Sequence, residues 1–326
     1  MASLFREDLP VCTPKNLRQV AEKLELDSGY LALASYPELV EVRNIFNRWY
    51  LEIKDFLDKQ YIKFIQKDFH SRSWELFCGK LLNTNFGLKT KKSQIGTPDF
   101  LIGINSTPAW IESMAPENAT NANKILLLRD QFNTANSGTM ISGGGPINEL
   151  ADPVVFRIKS KILDKYKSFF TTYLNFGVKK SDFYIIALNI HSFDDGFLDE
   201  RIFRQIFFGQ GNNIVFPGDK KNITNNTKYV ENRATATNLE GKNISVGIFL
   251  DDRFKYLSGV LITSNDVFNL AIKKDIGSSL FFIHNCNAQN KIPLNIFSFC
   301  SQINYHIESG ETKTTQPFSI SKVERD

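Results

Sequence analysis

The sequence predicts an α/β fold with a mixed central sheet, N-terminal helices and a C-terminal extension. Three observations point there: aromatic-rich stretches of helical period before residue 87, two β-rich runs around a turn between residues 97 and 116, and an apolar strand at 183–189 that follows a second amphipathic helix. Helical and strand periods in alternation imply a sheet packed against helices. The predicted organisation is an N-terminal helical region over 1–66, a core over 67–190 and a C-terminal α/β extension over 191–326 packed on that core.

Residues 37–66 read as one long amphipathic helix carrying Phe46, Trp49, Tyr50, Phe56 and Tyr61, packed on the core or on a partner subunit. Phe69 to Phe86 has helical spacing, with Gly87 as a plausible C-cap. On it Glu75 is in line with Cys78, Gly79, Leu82 and Phe86, which turns the carboxylate inward. Burial of the Trp74, Phe77 and Leu81 side instead leaves Glu75 in water. A strand over 88–95 is expected next.

The segment Thr97-Pro98-Asp99-Phe100-Leu101-Ile102-Gly103-Ile104 and the segment Ala109-Trp110-Ile111-Glu112-Ser113-Met114-Ala115-Pro116 flank the turn formers Asn105-Ser106-Thr107-Pro108, which predicts a hairpin. Alternation puts Asp99, Leu101 and Gly103 on one face of their strand and Trp110, Glu112 and Met114 on one face of theirs. The sequence leaves the register open. If Asp99 and Glu112 share a face, two acids stand at the edge of an apolar sheet, and such carboxylates call for a cation or a proton. Otherwise both lie in water at strand ends.

After a polar stretch over 117–152, read as an insertion that is disordered or a mobile flap, Asp152 and Pro153 are expected to begin a helix in the cap and first-turn positions. Its apolar stripe is Val155, Ile158, Ile162, Tyr166, Phe169 and Tyr173, and Lys165 falls in the middle of it. A lysine there either pairs with carboxylates or snorkels to water. Arg157 and Lys161 add positive charge along one edge. The run Phe183-Tyr184-Ile185-Ile186-Ala187-Leu188-Asn189 closes the core as a strand.

A helix with Glu75, a strand, a strand opened by Pro98-Asp99, a strand ending in Glu112-Ser113-Met114, a helix with Lys165 and a closing strand resemble the restriction-endonuclease-like αβββαβ core of the PD-(D/E)XK nucleases. The resemblance covers about residues 67 to 190. It implies a metal-dependent endonuclease acting on nucleic acid, preferably DNA, of restriction, repair or mobile-element type. Asp99 and Glu112, with Glu75 through water, would hold Mg²⁺ or Mn²⁺. The chain departs from the signature where the lysine two residues after Glu112 is Met114, which can neither hold a charge nor donate a hydrogen bond. Either the lysine has moved to Lys165 on the next helix, or hydrolysis is lost and a DNA-binding or protein-interaction module remains. Cleavage of both strands by such cores commonly uses two copies, so the resemblance also implies a homodimer.

Composition bounds these expectations. At 326 residues, 42% hydrophobic, the chain can bury a large core. A net charge of +4 permits nucleic-acid contact without requiring it. Lys89, Lys91, Lys92, Arg201 and Arg204 are local basic spots. Cysteines 12, 78, 286 and 300 have neither CxxC nor zinc spacing, which suggests a reducing, cytoplasmic setting. No apolar run reaches the roughly 20 residues of a membrane span, so no membrane partner is expected. Beyond the core, strands are expected over Tyr256 to Thr263 and Leu280 to His284, with His284 a structural histidine. The run Phe282-Ile283-His284-Asn285-Cys286-Asn287-Ala288 is similar to a segment of uncharacterised bacterial proteins and carries no assigned chemistry.

Overall fold

The computed structural model describes residues 3–90, 96–117, 148–193, 200–216, 227–232, 235–237, 241, 243–273, 276–306 and 311–315. Its helices are α1 (Leu17–Leu24), α2 (Ser28–Ser35), α3 (Val40–Ile53), α4 (Tyr61–Ile65), α5 (Phe69–Phe86), α6 (Asn148–Thr171), α7 (Glu200–Phe208) and α8 (Val267–Ile272). Seven strands form one mixed sheet: β1 (Phe100–Ile104), β2 (Thr107–Met114), β3 (Phe183–Asn189), β8 (Gly259–Thr263), β9 (Phe281–His284), β10 (Ser301–His306) and β11 (Glu311–Thr315), in that spatial order. The first pair is antiparallel, while β2, β3 and β8 run parallel. Two small antiparallel pairs lie outside it, β4 (Gln210–Phe216) with β5 (Thr227–Asn232), and β6 (Thr235–Thr237) with β7 (Asn243–Ser245).

Strand alternation sorts the side chains into two cores. Phe100, Ile102, Ile111, Ile185 and Ala187 face one way and join Phe46, Trp49 and Ile53 of α3 and Trp74, Phe77 and Leu81 of α5. Trp110, Met114, Tyr184, Ile186 and Leu188 face the other way and meet Val155, Ile158, Ile162, Tyr166 and Phe169 of α6. A parallel strand buried on both faces is apolar throughout, and all seven residues of β3 are buried. The indole N–H of Trp74 donates to the Ala187 carbonyl at 3.0 Å, which locks α5 to the middle of the sheet. At Gly79 the helix comes so close that a Cβ would lie 2.5 Å from Ile53 and 2.8 Å from the Phe100 ring. Only glycine permits that approach.

Several sequence expectations need correction. The single helix over 37–66 is two helices, because Leu57–Gln60 turn between them. Asp58 accepts from the Gln60 N–H at 2.7 Å, and that local bond competes with helix continuation. The turn of the hairpin is shorter than four residues. Asn105 and Ser106 both have positive φ, 47° and 67°, as a two-residue I′ loop requires, and Thr107 already belongs to β2. Helix α6 starts at Asn148, not at Asp152, and holds Pro153 inside, near enough to the end that few helical bonds are forfeited. Leu88 to Thr90 form no strand, although the Lys89 N–H donates to the Leu101 carbonyl at 2.8 Å along the edge of β1; residues 91–95 lie outside the described residues. So does the greater part of the 117–152 insertion.

Gly87 does cap α5, with φ 68° and its N–H on the Asn83 carbonyl. The C-terminal strands continue the central sheet: β8 pairs directly with β3, and its first residue is Gly259 where the sequence suggested Tyr256. His284 is buried, with its Nε2 2.9 Å from Gln302 Oε1. All four cysteines are free and buried. Among the described residues no helix is long and apolar enough to cross a membrane.

Candidate active site

The hairpin register brings the two acids together. Phe100 pairs with Ile111, so one step outward Asp99 stands opposite Glu112, on the face that also carries Trp110 and Met114. Because β2 and β3 are parallel, the carboxyl ends of both lie at the same sheet edge, where ligands bind in open α/β sheets. An open cleft of about 820 Å³ occupies that edge. Asp99, Glu112 through Glu117, Glu75 and Arg72 of α5, and Arg157, Lys161 and Lys165 of α6 line it.

Each acid has its own anchor. The backbone N–H and the hydroxyl of Ser113 both donate to Asp99 Oδ2, at 2.7 Å and 2.5 Å. Glu112, buried to about 4% exposure, forms an ion pair with the Lys165 ammonium and accepts a hydrogen bond from the Tyr173 hydroxyl. Burial, and then the charge of Asp99, push the Glu112 carboxyl up to about 7 against the pull of Lys165 and Tyr173. Lys165 remains 39% exposed in its side chain, so burial depresses its ammonium less than Glu112 and Asp99 lift it, and its pKa rises. Burial and Glu112 also hold the Tyr173 phenol well above its ordinary value. The pair is thus asymmetric: the dry partner is the carboxylate.

Glu75 points inward, as its place on the helix suggested, and lines the cleft from the opposite face of the sheet. It is buried and held by Arg72 at 2.6 Å. Arg72 lies over the Phe64 ring at 5.2 Å. The structure therefore pairs Glu112 with Lys165, sets Asp99 across the hairpin in the same cleft, and places Glu75 there too, engaged with a cation of its own. Among the described residues no three His, Cys, Asp or Glu side chains converge as a metal cage. Asp99 and Glu112 nonetheless fit a hard cation of the Mg²⁺ type, which binds through one or two carboxylates and keeps several waters. The donor set is all oxygen, and both carboxylates line the same cleft.

Sequence reasoning missed three supporting residues. Ser113 orients Asp99, Tyr173 donates to Glu112 and Arg72 neutralises Glu75. A signal existed for Tyr173, which follows Lys165 by eight residues on one stripe, and for Arg72, which precedes Glu75 by three. None existed for Ser113, whose bond depends on the register. Of the basic spots singled out earlier, Lys91 and Lys92 lie outside the described residues. Compared with known protein families, curated proteins and solved structures, the chain finds no significant match in any of the three.

Proposed function

We propose that this cleft hydrolyses nucleic-acid phosphodiesters, DNA in the first place, with Mg²⁺ or Mn²⁺, on a core of restriction-endonuclease-like type. The observation that carries the reading is the Lys165 ammonium on the buried Glu112 carboxylate, with Asp99 across the hairpin in the same cleft. It is a placement of two acids and a lysine for which the sheet alone has no use, since a buried pair stabilises less than apolar side chains of the same shape.

Asp99 and Glu112 would hold the ion, and a bound divalent cation supplies a lowered water pKa and charge for the phosphoryl oxygens. The remaining work belongs to the chain. Ser113 keeps Asp99 aimed into the cleft. Lys165, which lines the cleft beside Glu112, would offer its ammonium to the attacking water or to the developing phosphoryl charge. Tyr173 keeps a proton on its oxygen and a hydrogen bond to Glu112, which fixes the carboxylate rotamer. The wall from Arg157 to Lys165 offers positive charge to a polyanion.

Plasmid, linear and single-stranded DNA incubated with Mg²⁺ or Mn²⁺ test this. Asp99→Asn and Lys165→Ala should abolish metal-dependent cleavage, and full activity in either variant removes that residue from the mechanism.

The second reading is a binding module without hydrolysis. It is favoured by Met114, which is 8% exposed in the apolar core and leaves no cation two residues after Glu112. Binding of nucleic acid with no cleavage by the unaltered protein under any of those conditions would select it.

A further inference from the structure

The cleft holds cations that the hydrolytic chemistry does not use. Arg157 and Lys161 precede Lys165 on α6 by eight and four residues, and all three line the cleft. Side chains four apart stack on one helix face, and each step rises about 6 Å. That spacing is comparable to the separation of consecutive phosphates along one nucleic-acid strand.

Their partners differ. Lys165 is engaged by Glu112. Neither Arg157 nor Lys161 has an ion-pair partner among the described residues, and the buried Nε of Arg157 has no hydrogen-bond partner. Of the cleft acids, Glu75 is engaged by Arg72, Glu112 by Lys165, Asp99 by Ser113 and Asp68 by the Ser71 N–H, while Glu117 lies beside Asp68 and Asp27 and forms no ion pair with Arg157 or Lys161 among the described residues. A buried N–H without an acceptor is unfavourable, so the Arg157 guanidinium gains by turning toward an incoming anion. The planar guanidinium fork matches phosphate oxygens in pairs, and an ammonium one turn away adds a point charge.

We propose that Arg157 and Lys161 form a phosphate subsite that takes the backbone phosphates adjoining the one at Lys165, so that a single strand runs along α6 through the cleft. The proposal rests on the nucleic-acid reading of the cleft and deepens it: it assigns a strand path and a polyanionic substrate longer than one phosphodiester. Isolated nucleotides would engage only one of the three cations.

The test measures anisotropy of a short fluorescein-labelled single-stranded DNA titrated with the full chain in EDTA, across a range of salt. No metal is present, so hydrolysis does not enter. Arg157→Gln and Lys161→Gln should each weaken binding and lower the slope of log affinity against log salt by about 0.7. Arg157→Lys should recover the slope and only part of the affinity. Lys167→Gln makes the same charge change on the same helix, at a side chain that is 64% exposed and does not line the cleft, and should leave the slope unchanged. If Arg157→Gln fails to fold, the half-buried Lys161→Gln carries the comparison. Equal slopes in Lys161→Gln and the unaltered protein, or no DNA binding by the unaltered protein, overturn the subsite. Metal-dependent cleavage run in parallel separates the two claims. Cleavage with unchanged slopes overturns the subsite alone, whereas lowered slopes without cleavage uphold the subsite and overturn hydrolysis.

Discussion

Replacing Glu112 with glutamine should uncouple the stability of this protein from pH in one definable window. The ordinary glutamate value is 4.5, and burial, followed by the charge of Asp99, lifts the folded-state value of Glu112 to about 7. The gap between the two corresponds to about 3 kcal/mol. Its sign follows from proton binding. Between 4.5 and 7 the folded state binds more protons at this group than the unfolded state, so unfolding free energy falls as pH rises. The contribution is fully present below 4.5 and fully lost above about 7. Carboxylates remote from Glu112 are common to both proteins and cancel in the difference. The Glu112→Gln variant should therefore gain about 3 kcal/mol relative to the unaltered chain between pH 4.5 and pH 8. Urea unfolding followed by tryptophan fluorescence in EDTA, at half-unit steps, reads this directly. If the two stability curves run parallel within about 0.5 kcal/mol, the carboxylate is not a high-pKa group and the electrostatic account of the site fails. The same instrument tests the cation. At pH 8, Mg²⁺ at a hundred times its Kd should stabilise the unaltered protein by about 2.7 kcal/mol and the variant far less, with the effect shrinking at pH 6 as protons compete for Glu112.

Two further expectations concern the parts that hold the site. Ser113→Ala removes one of two donors to Asp99 Oδ2 and leaves the backbone N–H; metal affinity by isothermal titration should fall about tenfold with an unchanged circular dichroism spectrum, and unchanged affinity would show that the hydroxyl does not orient the acid. Gly79→Ala drives a methyl into Ile53 and the buried Phe100 ring, and should cost about 1–3 kcal/mol in a urea melt; a neutral result would mean that α5 is free to shift on the sheet.

The legible parts of this chain were those that a local period can carry. The stripe from Val155 to Phe169 is buried residue for residue, the apolar run at 183–189 is a strand buried throughout, and the inward turn of Glu75 followed from its alignment with Cys78 and Gly79. Where local signals compete, the sequence misled. Thr107 and Pro108 read as turn formers, yet the left-handed backbone at Asn105 and Ser106 completes the turn alone. Phe56 and Tyr61 stand on either side of residues 57–60 as though a helix continued, while Asp58 closed a turn on Gln60.

The site shows the same division. From the sequence alone came the identities Asp99, Glu112, Glu75 and Lys165, because each sits where its charge conflicts with the apolar pattern around it. Whether those charges meet was a question of register and packing, which depend on residues far apart in the chain. The pairing of Phe100 with Ile111 sets Asp99 across from Glu112, and the packing of α6 on the face of Trp110 and Met114 delivers Lys165 to the carboxylate from 53 residues away. A shift of one residue in that hairpin would turn Glu112 to the opposite face, among the side chains of α5. The order of residues along the chain determined strands and helices with charges set into their apolar faces, because that is a local period; only the tertiary structure decided that those charges share a cleft, because that depends on register and packing.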